Sequence, residues 1–353
     1  MSARRTASRP DLLSRAVRRR VAALLMSGVS LLVPHAAHGA AYLPPDGKRF
    51  HGVTGGSSPT NLKLFDDQIG SHPAIFGFFT QWNSPYQYIF NAAQSSRARV
   101  MLHISTTQGY GASERITPKG IAQGGGDRYL IGLAREIAER DVITYVRFLA
   151  EMNQTNNAYC AFDASGRFRG ASHSQGQYKQ AFRRAALILR GGSIDAINRK
   201  LKRLGLPAVQ GTSADLPVTK VAMAWVPQVA GTPNIAANSA RAYYPGRAYV
   251  DWVGTDFYSA FPNFSGLRRF SSDFNGIPFM FGEYAAWKSD SASFIHALFA
   301  FIRGDHDVKI AMYNQGNLPN GPFKLVHYPA SRTALRGELA KGGWAQYAPE
   351  YAS

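Results

Sequence analysis

The sequence holds one cysteine, Cys160, in 353 residues, which excludes an intrachain disulfide and leaves the fold to be held by its core. It has no HExxH and no His/Cys/carboxylate cluster at metal-ligand spacing, so no catalytic metal is expected, and nothing calls for a cofactor. The glycines at 124–126 lack a following Lys-Ser/Thr, which sets aside a phosphate loop. No basic run interleaved with aromatics occurs beyond the N-terminus, and no nucleic-acid partner is expected. Ser/Pro linkers, low-complexity tracts and repeats are missing too, so one large domain is the simplest count. Acidic side chains are scarce, 22 against 40 basic ones.

Part of that imbalance sits in the first 41 residues. Arg4, Arg5, Arg9, Arg15, Arg18, Arg19 and Arg20 form a basic leader, followed by an apolar run at 21–33 and small residues at 39–41. The run is shorter than the roughly 20 residues a bilayer crossing needs. This is the layout of a secretory signal peptide, and Arg18–Arg20 admit a twin-arginine route. The mature chain, 42–353, is expected outside the cell or in the periplasm, without stable membrane insertion and as a monomer. Seven of the 40 basic residues and one of the 22 acidic ones fall in the leader, leaving a mature charge of about +12. That balance fits a basic surface or an acidic glycan partner.

The mature chain alternates between two hydrophobic periods. Strand-like stretches fall at 50–56 (FHGVTGG), 74–82 (AIFGFFTQW), 99–106 (RVMLHIST), 142–153 (VITYVRFLAEMN), 220–228 (KVAMAWVPQ), 249–259 (YVDWVGTDFYS), 277–287 (IPFMFGEYAAW) and 308–316 (VKIAMYNQG). Helical periods lie between several of them. Asp127–Arg140 puts Leu130, Leu133, Ala134, Ile137 and Ala138 on one face, and 177–190 and 291–303 behave alike. Eight strands, apolar at nearly every position and alternating with helices, predict a single-domain (β/α)8 TIM barrel. An open doubly wound sheet is the second arrangement, but it lacks its glycine-rich turn.

Such a barrel works at the C-terminal ends of its strands. The polar and aromatic residues there are Trp82, His103, Glu151 with Asn153, Trp225 with Gln228, Asp256 with Tyr258, Glu283 with Trp287, and Tyr313 with Asn314. Alternation places Arg147, Leu149 and Glu151 on one side of the fourth strand, and Phe279, Phe281 and Glu283 on one side of the seventh. Two glutamates at the ends of strands four and seven, in a cleft lined by Trp and Tyr, suit glycoside hydrolysis. One carboxyl gives a proton to the leaving oxygen, and the other attacks the anomeric carbon or activates water. His103 lines the cleft or is a satisfied strand-end histidine. Trp252 and Asp251 are expected to serve packing and a loop contact.

Taken together, VRFLAEMNQ (146–154), DRYLIGLAREIAER (127–140), YVDWVGTDFYS and PFMFGEYA resemble the motifs of glycoside hydrolase family 26, the secreted β-mannanases and related endo-glycanases. The resemblance covers residues 50 to about 317. It implies a retaining endo-glycosidase in which Glu151 is the acid/base and Glu283 the nucleophile. It also implies that Tyr258 hydrogen-bonds the nucleophile and that Arg147 lies beneath the site. Asn153 and Trp225 would help form sugar subsites, with Trp82, Trp287 and Tyr313 among the aromatics that meet substrate. The sequence departs from the family at Ala150, where His is usual. It departs again at Gln154, where Gly is usual, and at Tyr313, where the clan most often has Trp. These positions surround the subsites, so β-mannan does not follow automatically as the substrate. A barrel that binds glycan without cutting it, and a hydrolase of an acidic exopolysaccharide, remain open beside the endo-glycosidase.

Overall fold

A computed structural model describes residues 41–55, 58–107 and 113–352. Eight strands run parallel in a ring: β1 (Arg49–Thr54), β2 (Ile75–Thr80), β3 (Arg99–Ile104), β4 (Thr144–Phe148), β5 (Val221–Trp225), β6 (Trp252–Tyr258), β7 (Phe279–Ala285) and β8 (Val308–Asn314). The ring closes where β1 pairs with both β2 and β8. Around it stand α1 (Pro59–Ile69), α2 (Gln87–Ser95), α3 (Pro118–Ala122), α4 (Asp127–Arg140), α5 (Gln175–Arg190), α6 (Ile194–Arg203), α7 (Phe264–Asp273), α8 (Ala292–Gly304) and α9 (Pro329–Ala340). The (β/α)8 barrel expected from the two periods is the fold observed. The three helical patterns read from the sequence form α4, α5 and α8.

Alternation along each strand sorts the core into two layers. Outward residues such as Val146, Phe148, Met223, Trp225, Phe279 and Phe281 join the helices in one large apolar shell. Inward residues, among them Phe50, Met101, Tyr145, Ala224, Trp252, Met280 and Met312, fill the barrel itself. With both faces buried, the strands carry near-continuous apolar runs.

The N-terminal end of the barrel is closed by the two ends of the described chain. Arg99 donates to both carboxylate oxygens of Glu350 at 2.8 and 2.9 Å, and to the Tyr42 carbonyl and Tyr145 hydroxyl at 2.7 Å each. The indole of Trp252 donates to the Ala41 carbonyl at 2.7 Å, and β9 (Trp344–Ala345) pairs with β1. Ala41, the last residue of the expected leader, packs on the folded body. The rest of that expected leader, residues 1–40, lies outside the described residues.

Candidate active site

The fourth strand is shorter than its apolar run, ending at Phe148 rather than at Asn153. Leu149 and Glu151 both take left-handed backbone, at φ 50° and 53°, so alternation stops there. Leu149 packs in the outer shell instead of beside Arg147. Glu151 reaches the mouth through a turn anchored on both sides. Leu149 N donates to Ile104 O of β3 at 3.0 Å, and Glu151 N donates to Val226 O beyond β5 at 2.7 Å. Left-handed backbone at two non-glycine residues costs on the order of 1–3 kcal/mol each and persists only where neighbouring bonds hold it.

Glu283 also reaches the site by breaking alternation. The β6–β7 register pairs Thr255 with Phe281 and Asp256 with Glu283, so Gly282 is an extra residue. Phe279 and Phe281 face the outer shell, against Phe270 and Phe301, while Glu283 faces inward. They do not share the face expected for them. A Cβ on Gly282 would lie 2.7 Å from Arg147 Nε and 2.8 Å from Asp256 Oδ1, so glycine is what lets the bulge turn inward.

Under the two glutamates lies Arg147, buried in a cluster of carboxylates. It donates to Glu283 Oε1 at 2.7 Å and to Asp256 Oδ2 at 2.5 Å. Glu283 Oε2 accepts from the Tyr258 hydroxyl at 2.5 Å and from Asn314 Nδ2 at 2.6 Å. Every protein partner of Glu283 is therefore a donor. Glu151 accepts from Gln228 Nε2 at 2.5 Å and stands within hydrogen-bonding reach of Asp256. Burial, and then the charge of Glu283, push the Glu151 carboxyl above its usual range. The Gln228 hydrogen bond, the Arg147 charge and Asp256 oppose them. Burial pushes Asp256 up as well, against the pull of Arg147. Glu151 and Asp256 are thus both raised, two of the three carboxyls around this one guanidinium. Asp256 Oδ1 is buried and has no hydrogen-bond partner among the described residues. His103, in register with Arg147 on β3, is pushed down to about 3 by burial and by that guanidinium, so it stays neutral.

The remaining sequence candidates divide. Tyr258 and Trp287 are partly exposed at the mouth, in edge-on contact at 5.7 Å between ring centres. Trp82 is buried against Tyr129 and Phe148. Trp225 points outward from β5 into Tyr244, Phe270 and Phe274, with no exposure. Tyr313 is sealed between Phe65 and Tyr284. A sugar can reach none of these three, which corrects their expected role. Asn153 spends both side-chain polar atoms on the backbone of Gln228, at 2.9 Å each, and so positions Gln228 instead of binding substrate. Arg147 likewise lies below the glutamates, not against a ligand. The residues that do enter the cluster, Gln228, Asp256 and Asn314, were visible only as polar strand ends. On β8 the choice between Tyr313 and Asn314 is one of parity, and Asn314 holds the inward position.

No protein-family profile matches the sequence, and no curated protein sequence does. Solved structures do match. Bacillus subtilis mannanase BCman superposes with a TM-score of 0.51 at 15% identity, over 85% of this chain and 87% of that one. A Cellulomonas fimi endo-β-1,4-mannanase double mutant gives 0.53 at 16%, over 86% and 72%. The catalytic domain of Bacillus sp. JAMB-750 GH26 endo-β-1,4-mannanase gives 0.53 at 14%, over 86% and 90%. The chain has the fold of the family 26 mannanases. The likeness at this identity is one of architecture, and it spans 72–90% of those mannanase chains.

Proposed function

We propose that the protein is an exported, retaining endo-glycosidase that hydrolyses a β-linked polysaccharide of the β-mannan type. The observation that carries this reading is the contrast between two neighbouring carboxyls. Glu283 is surrounded by donors, as a nucleophile requires, while Glu151 is pushed toward the protonated form, as a general acid requires. The mannanase fold and the aromatic mouth support it.

In the first step Glu283 attacks the anomeric carbon while Glu151 gives its proton to the departing glycosidic oxygen. The ester so formed removes the charge from Glu283. That charge is one of the causes holding the Glu151 pKa up, so its loss makes Glu151 a ready carboxylate. Glu151 then takes a proton from water, the water attacks the anomeric carbon, and Glu283 is released. Arg147 and Asp256 take no covalent part; they fix the charges around both steps.

Reducing-end release from β-mannan, galactomannan, mixed-linkage β-glucan and xylan, with Glu283→Gln alongside, tests the proposal. Release that falls more than about a hundredfold in the variant supports the nucleophile role. Silence of folded protein on every polymer would favour a barrel that binds glycan without cutting it.

A further inference from the structure

Beside Glu283 the barrel mouth carries an aromatic platform with a lysine ammonium standing on it. Tyr258, which donates to Glu283, meets Trp287, and Phe323 lies 5.4 Å from the first ring and 5.3 Å from the second. Phe261 extends the platform outward, 5.6 Å from Trp287 and 63% exposed. Lys288 Nζ stands 5.0 Å from the Trp287 ring centre and 5.4 Å from that of Phe261. Its placement is built in. The Trp287 backbone is clamped by Ser259, whose hydroxyl accepts from Trp287 N at 2.8 Å and donates to Trp287 O at 3.0 Å, and Lys288 follows with left-handed backbone at φ 63°. Lys324, next to Phe323, bonds the Gly316 carbonyl at 3.3 Å.

Neither lysine has a carboxylate within ion-pair reach among the described residues. Unpaired lysines are common in a chain with this basic excess. Lys288 differs in standing over rings that continue directly from the glutamate site, and Lys324 in following one of those rings in the chain. An aromatic platform offers a sugar ring a stacking surface, and an ammonium held over it offers a fixed countercharge. We infer that this platform is a subsite for a glycan residue bearing an anionic substituent, the sugar stacking on Trp287 and Phe261 and its carboxylate or sulfate ester meeting Lys288 and Lys324. Burial lowers the Lys324 pKa, a cost that a bound anion would relieve. The inference deepens the hydrolase reading and rests on it.

Affinity electrophoresis of the Glu283→Gln protein tests it, in gels containing polygalacturonate, a sulfated galactan, neutral galactomannan or polyglutamate. Retardation by at least one anionic polysaccharide beyond that by galactomannan and polyglutamate is expected, and which one separates carboxylate from sulfate. Lys288→Gln should weaken it about two- to fivefold, in the range of an exposed ion pair. Lys288→Arg should restore it, and Lys202→Gln, on the outer helix α6, should leave it unchanged. No preference for an anionic polysaccharide, or a Lys288→Gln variant that binds as well as its parent, overturns the subsite. Hydrolysis of neutral galactomannan alongside either result would leave the glycosidase reading standing. Lys288-dependent retention with no reducing-end release from any polymer would sink that reading and keep the subsite.

Discussion

Arg147 bridges Glu283 and Asp256, with one nitrogen 2.7 Å from the first and another 2.5 Å from the second. All three side chains are buried, so the bridge cannot be replaced by water. Arg147→Met should cost about 3–5 kcal/mol of stability, because it strands two buried carboxylates. It should also lower kcat by at least about a hundredfold if the protein still folds. Arg147→Lys keeps the charge but loses the planar fork and should rescue stability better than rate. Denaturant melts and steady-state kinetics on the same samples check this; a Met variant with unchanged stability would show the bridge to be idle.

Gly282 makes a sharper test of geometry, since alanine adds one carbon and no charge. That carbon would press on Arg147 and Asp256, so Glu283 has to shift. Gly282→Ala is expected to destabilise by about 1–3 kcal/mol, as overpacking does. It should cut kcat tenfold or more while leaving far-UV circular dichroism unchanged. An alanine variant with parental kcat would mean that the bulge does not set the nucleophile.

The barrel was legible because both of its signals are periodic: β5, as VAMAW, is apolar throughout, and α4 shows its face over 14 residues. The site was less so, because it is built where periodicity fails. Glu151 was found as the polar end of an apolar run, but the left-handed turn that carries it obeys no alternation. Gly282 reads in sequence as a weak point in a strand, not as the bulge that turns Glu283 inward. Trp225 and Tyr313 were chosen as large aromatics at strand ends, yet each strand end offers two parities. Without the neighbouring helices, sequence does not say which parity faces in. Asn314 holds the inward place because Tyr313 beside it packs under the helices, and Gln228, past the end of β5, is held by Asn153.

The alkaline side of the pH profile should follow Glu151, which must be protonated to serve as acid, so the rate falls as pH rises through its raised pKa. Gln228 donates to Glu151 and thereby favours the charged form. Removing the donor in Gln228→Ala raises the pKa further, and the alkaline limb of kcat/KM should move to higher pH. A shift to lower pH, or none, would contradict the hydrogen bond's role.

His51 predicts a different pH response, in stability. It is buried on β1 with Nε2 2.6 Å from the Tyr284 hydroxyl, and burial pushes it down to about 3. Its folded pKa lies below the unfolded value of about 6.5, so the unfolded chain binds the extra proton between those values. The neutral form's stability is fully present above about pH 6.5 and is lost as pH falls toward 3. His51→Gln, which retains an amide for the tyrosine, should flatten the acid limb of the stability curve in urea melts at fixed pH. An identical acid limb in the variant would place the acid sensitivity elsewhere, with His103 the next group to replace.

Trp225 ends β5 and Trp287 follows β7, two strands round the ring, but they face opposite surroundings, and their variants should separate cleanly. Trp225 fills the space between β5 and α7 without touching the mouth, so Trp225→Ala should cost about 3–5 kcal/mol of stability and leave KM within about twofold. Trp287 is partly exposed over the site, so Trp287→Ala should shift the melt little and raise KM about tenfold, the equivalent of roughly 1.4 kcal/mol. Measuring both quantities on both proteins matters more than either alone. A Trp225 variant that folds as well as the parent but loses affinity would move the sugar path to the other side of the strand, and the subsite assignment with it.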